Sequence, residues 1–293
     1  MASERKPSVG FIGAGRTATS LAVALASAGY QVIAVASRSV ESAQRLANRI
    51  PECRAFATGH KVADAAQLVF ITTPDDGIEK VTASVYWQQG HQVAHCSGAL
   101  GLEALWPASA QGAEVGSFHP IQTFGPTEGP LTGLDGVMVG LEAQGGLFET
   151  LKTMITDIKG TPLAVPAESR ALYHAAATMS CGHLAALLQS AVALWERAGL
   201  PADLGRQALQ HLAKATLESV KERDAGSALT GPLVRGDLET VERHLTALKN
   251  QAPELLPVYT SLGQQVVELS VASGRLPEEK AEESRKILSA TEA

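Results

Sequence analysis

Cysteine is scarce, with 3 in 293 residues. Cys53, Cys96 and Cys181 are odd in number, far apart and without metal-ligand spacing. That excludes a disulfide framework and leaves free thiols in a reducing compartment as the plain expectation. Positive charge is also short: 24 Lys and Arg face 30 Asp and Glu, a net charge of −6. Such a balance argues against general affinity for nucleic-acid phosphates or an anionic membrane, but not against a local basic pocket for one phosphorylated ligand. Met1–Pro7 runs into a strand-like segment without the apolar stretch of a leader, and no later segment reads as approaching the roughly 20 apolar residues of a membrane helix. These absences predict a cytoplasmic protein that engages neither nucleic acid nor membrane. His, Cys and Asp spacings point to no metal.

What is present suits a globular chain with ample core, 45 % hydrophobic and 18 % charged. The first half alternates short apolar strands with helix-like segments. Ser8–Ile12, Gln31–Ala36, Leu68–Thr72, Gln92–His95, Glu114–Phe118, Gly136–Leu141 and a closing Thr161–Val165 are the strand candidates. Their near-continuous apolar runs suit a parallel sheet covered on both faces. Thr17–Ala28 reads as a helix stopped by Gly29, and Ser39 as the cap of a helix ended by Pro51. The pattern predicts a doubly wound α/β domain over residues 1–165. After Pro166, apolar residues recur at three- and four-residue steps from Glu168 to Ala198, one long helix with a wide apolar stripe. Ala202–Glu222, Leu238–Lys249 and Glu254–Ser273 follow as helices, and the charge run Glu278–Lys286 reads as a solvated helix face. Residues 166–293 are thus expected to form an all-helical domain.

The most specific feature is Gly13-Ala14-Gly15-Arg16-Thr17-Ala18, between an apolar strand and a helix. Glycine at 13 allows a sharp turn, glycine at 15 lets a pyrophosphate reach the backbone, and the small Ala18 lets the helix pack on the sheet. The free N–H groups of the helix start complete a phosphate site. The second strand ends Ala36-Ser37-Arg38-Ser39, with no acid before Glu41 to hold a ribose 2′-hydroxyl. A guanidinium between two hydroxyls suits a 2′-phosphate, so the predicted cofactor is NADP(H). Thr72-Thr73-Pro74-Asp75, at the end of the third predicted strand, is a further candidate cofactor contact, or alternatively a turn with a helix cap.

A dinucleotide-binding domain joined to an all-helical one resembles the β-hydroxyacid dehydrogenase and 6-phosphogluconate dehydrogenase superfamily, which includes ketopantoate reductase, pyrroline-5-carboxylate reductase and prephenate dehydrogenase. Within it the chain is most similar to NADP oxidoreductases with a Rossmann-like domain and a C-terminal domain of unknown function, DUF2520. The residues that carry the likeness are His95–Gly101, Ser117–Phe124, Leu172–Ala176 and Leu229–Asp237. The resemblance implies a Rossmann fold, a helical domain like that of 6-phosphogluconate dehydrogenase, and reduction of a small 2-oxo acid, with ketopantoate as the leading example. An imine or prephenate-type substrate is the alternative. A redox sensor that binds NADP(H) without turnover is a third reading. The family pattern leads one to expect asparagine near Gly182, where the chain reads Ser180-Cys181-Gly182-His183, and no catalytic lysine is identifiable on the long helix.

Hydride transfer to a carbonyl or imine asks the protein for placement and a proton source. His119, after a strand end and stiffened by Pro120, is one candidate donor. His174, among small residues early in the long helix, is the other, each with an ordinary structural histidine as its alternative. Ser97 lies near the expected nicotinamide position or serves a turn; Tyr173, Thr178 and Ser180 are weaker proton-relay candidates. Arg235, in a Gly-Pro-x-x-Arg-Gly-Asp loop, is the expected anchor of a substrate carboxylate. Asp237 reads instead as a helix N-cap. The apolar stripe on Glu168–Ala198, with the superfamily's habit of pairing through its helical domain, predicts a homodimer.

Overall fold

The structure, a computed structural model, describes residues 6–222 and 224–290; the first five, read above for a leader, lie outside it. In chain order the first part comprises β1 (Val9–Ile12), α1 (Arg16–Ser27), β2 (Val32–Ala36), α2 (Val40–Ala47), β3 (Arg54–Phe56), α3 (Gly59–Ala65), β4 (Leu68–Ile71), α4 (Asp75–Ala83) and β5 (Gln92–His95). It continues through α5 (Trp106–Ser109), β6 (Glu114–Pro120), β7 (Met138–Ala143), α6 (Leu147–Asp157), β8 (Thr161–Ala164) and α7 (Arg170–Thr178). One eight-stranded sheet runs β3-β2-β1-β4-β5-β6-β7-β8. The first six strands are parallel; β7 is antiparallel to β6, and β8 parallel to β7.

Alternation along each strand splits the core in two. Phe11, Phe70 and Phe118 face Leu21, Leu25, Leu46, Leu147 and Leu151 on one side. Their rings stack at 5.3 Å and meet edge-on at 5.4 Å. Ile12, Ile71, Val93 and Val115 face Val62, Ile78 and Leu105 on the other. Strands buried on both faces need the unbroken apolar runs VGFI and LVFI, and the doubly wound arrangement expected from them is what forms.

Three expectations are corrected. The three-residue edge strand β3 and helix α3 carry no strong periodic signal and escape notice. Strand β6 runs on through His119 and Pro120, because the reversed β7 keeps pairing there, His119 with Gly140 and Pro120 with Val139. The boundary expected after Val165 falls later: a compact unit extends to Cys181 and a second begins at Gly182. The reason is α7, which lies on the sheet, with Arg170 bonded to Glu142 of β7 and Tyr173 bonded to His119 of β6.

The expected single helix from Glu168 to Ala198 is likewise interrupted. A wider π turn at Met179–His183 separates α7 from α8 (Leu184–Arg197). The segment where an asparagine was expected is this turn, and such bulges often mark functional sites. The whole run Ala167–Arg197 does reach membrane-span length and composition, with a mean hydropathy of 1.3 over its apolar window, contrary to the expectation that no segment approaches it. Core helices of soluble proteins reach the same values; here only 6 % of that window is buried within the chain.

The second unit contains α8, α9 (Ala202–Glu222), α10 (Ala225–Ala228), α11 (Pro232–Arg235), α12 (Leu238–Gln251), α13 (Leu256–Ala272) and α14 (Glu278–Ser289). Its core is built by α11 to α14 through Leu233, Val241, Leu245, Leu248, Leu256, Val267, Ala281 and Leu288. Asp237 caps α12, accepting from the Thr240 N–H at 3.2 Å. Helix α9 packs on α8, Gly205 fitting under the Trp195 ring, yet Gly205 is its one buried residue among those described. Leu204, Leu212, Leu217 and Val220 stay exposed.

Candidate functional site

The glycine turn forms between β1 and α1 at the carboxyl edge of the sheet. Gly13 has φ +115°, and a Cβ there would lie 2.6 Å from the Thr72 carbonyl, so both backbone angle and space exclude a side chain. Gly15 is exposed, and a Cβ on it would meet only open space. As the N-cap of α1 it offers no side-chain hydrogen bond. The first intrahelical bond joins the Thr19 N–H to the Gly15 carbonyl, which leaves the Arg16, Thr17 and Ala18 N–H groups without helical partners. Ala14 is half-buried beside the turn, and Ala18 is fully buried under it.

Two neighbouring loops share this edge. Ser37, Arg38 and Ser39 follow β2; Arg38 is exposed, and the Ser39 hydroxyl caps α2 by accepting from the Ser42 N–H at 3.2 Å. Thr73 and Pro74 follow β4, with Pro74 at the start of α4. The Thr73 hydroxyl is buried without a hydrogen-bond partner among the described residues. An uncapped helix start, an empty cradle above Gly15 and an orphaned hydroxyl suit a polyanionic dinucleotide.

On the face covered by α7, the ends of β5, β6 and β7 bring together His95, Ser117, His119, Gly140 and Glu142. His119 Nδ1 lies 2.6 Å from the Tyr173 hydroxyl. The His119 and His174 rings stand 6.0 Å apart at 68°. Two glycines make room for these rings. A Cβ on Gly98 would come within 2.6 Å of both His119 Cε1 and His174 Cδ2, and one on Gly140 would overlap the Tyr173 hydroxyl. Arg170 is buried and pairs with Glu142 at 2.5 Å, its Nε unbonded among the described residues.

The electrostatics follow from this packing. Burial, then the neighbouring His174 and Arg170, push the His119 imidazole down to about 4. Burial raises the Tyr173 phenol above its ordinary value, against the pull of Arg170. His95, fully buried, is also pushed to about 4, chiefly by burial. It accepts from the Ser97 N–H through Nδ1 at 3.2 Å and faces the Gly101 carbonyl through Nε2 at 3.0 Å, so its ring is neutral with the proton on Nε2.

The Ser97 hydroxyl is heavily committed. It donates to Asp75 at 2.7 Å and accepts from the Ala99 and Leu100 N–H groups, tying the turn after β5 to the start of α4. His119 and His174 do come together beside Gly98. Arg235 belongs to the second unit, exposed on the short α11, where Gly236 at φ +64° ends the turn. Arg170 and Glu142 escape sequence reasoning; Asp75 figures in it only as part of the candidate cofactor turn and His95 only as part of the family likeness. The one usable signal was Glu142, an acid inside an otherwise apolar strand.

A turn of this geometry on a doubly wound sheet defines a dinucleotide-binding domain of the Rossmann class. Residues 2–120 match the family described as a Rossmann-like domain, and residues 137–266 match the domain of unknown function DUF2520. The two matched regions together cover most of the chain. No curated protein matches the sequence. Among solved structures, an assigned NADP oxidoreductase from Bacteroides fragilis is 24 % identical, with a TM-score of 0.73 over 89 % of this chain and 98 % of its own. A Thermotoga maritima protein is 21 % identical, with a TM-score of 0.68 over 90 % and 99 %. A reductive aminase from Aspergillus terreus, in complex with NADPH and ethyl-5-oxohexanoate, is 18 % identical, with a TM-score of 0.64 over 91 % and 98 %. Each likeness establishes the shared fold.

Proposed function

We propose that this protein is an NADP(H)-dependent oxidoreductase that reduces a small carbonyl compound bearing a carboxylate, of the 2-oxo acid class. The observation that carries the reading is a shared edge: the glycine turn, the Arg38 loop, Thr73, Gly98 and His119 all lie at the carboxyl ends of parallel strands, where such sheets bind ligands. The backbone N–H groups after Gly15 and the Thr73 hydroxyl hold the diphosphate, and Arg38, with Ser37 and Ser39, holds the 2′-phosphate. The bound dinucleotide supplies hydride. His119, His174 and Ser97 border the reacting centre. An imine is the second reading, favoured by the fold shared with the reductive aminase. The protein acts as a homodimer, the unburied apolar faces of α8 and α9 forming the contact; light scattering at the monomer mass of 30.6 kDa would remove this part.

The test pairs binding with turnover. Wild type should bind NADPH more tightly than NADH, and Arg38→Ala should lose about 10- to 100-fold in NADPH affinity, one charge-assisted contact of about 1.5–3 kcal/mol. Equal affinity for the two cofactors refutes the NADP assignment. A panel of 2-oxo acids, ketones and cyclic imines, followed by NADPH absorbance, identifies the substrate class. Tight NADPH binding with no oxidation across the panel would mark a redox sensor instead.

A further inference from the structure

We propose that the Tyr173 hydroxyl is the group that hands the proton to the substrate's reacting oxygen or nitrogen, and that His119 is the group that restores it. The assignment rests on the oxidoreductase reading above and concerns residues within the first compact unit only.

Geometry carries it. A phenol oxygen and an imidazole nitrogen at 2.6 Å share one hydrogen, so only one of the two groups donates into the pair. His119 Nε2 lies against the Gly98 backbone and has no protein partner among the described residues. With the imidazole proton on Nδ1, the ring donates to the phenol oxygen, and the phenol proton is free to point toward a ligand. With the proton on Nε2, the phenol would be spent on the ring. Gly98 and Gly140 belong to different segments, yet both leave out a side chain where these rings meet. A pair of glycines matched to a phenol–imidazole contact is costly for a merely structural hydrogen bond, since glycine loses the most chain entropy on folding.

Charge supports the same division of roles. Around His119 stand His174 and Arg170 on α7, His95 on β5 and Asp75 on α4, and the balance keeps the imidazole neutral at pH 7. A neutral imidazole is a poor sole acid but a good relay. Tyr173, raised above the ordinary phenol value, keeps its proton until charge develops on the substrate.

The step balances. As hydride bonds to the substrate carbon, the π pair of the double bond moves to the heteroatom, which takes the phenol proton. The phenol oxygen takes the Nδ1 proton of His119, and Nε2 of the same ring gains a proton from solvent. The ring is then neutral with its proton on Nε2; loss of that proton to solvent and uptake of another at Nδ1 restore the starting tautomer, and the substrate has gained one hydride and one proton.

Two measurements test the role. Nitrogen-15 NMR of the histidine rings in the wild-type protein, without cofactor or substrate, should find neutral His119 at pH 7 protonated on Nδ1. Protonation on Nε2 overturns the proposal whatever the activity. In single-turnover assays with a substrate from the panel, Tyr173→Phe should slow hydride transfer by about 10²- to 10³-fold, the range for a lost general acid. Its NADPH dissociation constant should stay within about twofold of wild type. A Tyr173→Phe rate within about threefold of wild type removes this role alone, with His174 then the remaining acid. Wild type that binds NADPH tightly yet reduces nothing overturns the oxidoreductase reading, and this role with it.

Discussion

Replacing Gly98 by alanine places a methyl carbon 2.6 Å from His119 Cε1 and His174 Cδ2, and 2.7 Å from His119 Nε2. Ordinary contact between such atoms begins near 3.5 Å, so one or both rings must retreat by roughly 0.9 Å. His119 has little freedom to do so, being held by Tyr173 at 2.6 Å and by the β6–β7 pairing beneath it. The strain belongs to the overpacking class and should cost about 1–3 kcal/mol of stability. For a unit of this size that lowers Tm by about 2–4 °C per kcal/mol. A displacement approaching 1 Å at the reacting centre should cost on the order of 10²-fold in kcat. The assay is calorimetry beside steady-state kinetics, with Gly133→Ala as the control. A Cβ on Gly133 would meet only open space, and its φ is not left-handed, so this change should leave both quantities near wild type. Wild-type Tm and kcat in Gly98→Ala would show that the two imidazoles do not depend on the gap, and would refute the preorganised geometry.

Two further outcomes follow from the same face of the sheet. His95 and His119 both sit near 4 when folded and at 6.5 when free, so the unfolded chain takes up protons first as pH falls. Their contribution to stability is complete above pH 6.5 and is lost between pH 6.5 and 4, by up to about 3 kcal/mol for His95 and less for the half-buried His119. Urea midpoints that do not move between pH 7 and 5 would refute this. Arg170→Leu strands Glu142 and should cost about 3–5 kcal/mol, whereas Arg170→Leu with Glu142→Leu should recover most of it. Equal urea stability of the single variant and wild type would refute the buried pair.

Much of this was legible from local chemistry. The φ of Gly13, the stop at Gly29, the caps at Ser39 and Asp237 and the limits of Ala202–Glu222 all follow from rules spanning a few residues. The doubly wound sheet followed from apolar runs. Long-range placement was another matter. Nothing local to Tyr173 tells that its hydroxyl meets a ring 54 positions earlier in the chain. The reversal of β7 depends on how the segment after Pro120 returns, which periodicity does not encode. The boundary after Val165 was drawn where the pattern changes from strands to helices. The packing boundary instead follows contacts, and α7, helical by pattern, belongs to the sheet by contact.

That ownership has a consequence for synthesis on the ribosome. The strands are all made once Ala164 has emerged, but Glu142 still waits for Arg170, and His119 for Tyr173. A nascent chain halted there holds a finished sheet with an uncompensated acid on one face. The N-terminal unit therefore matures only when the first turns of a helix that leads into the next unit have been delivered, and any dissection of the protein should cut at the π turn, not at the last strand.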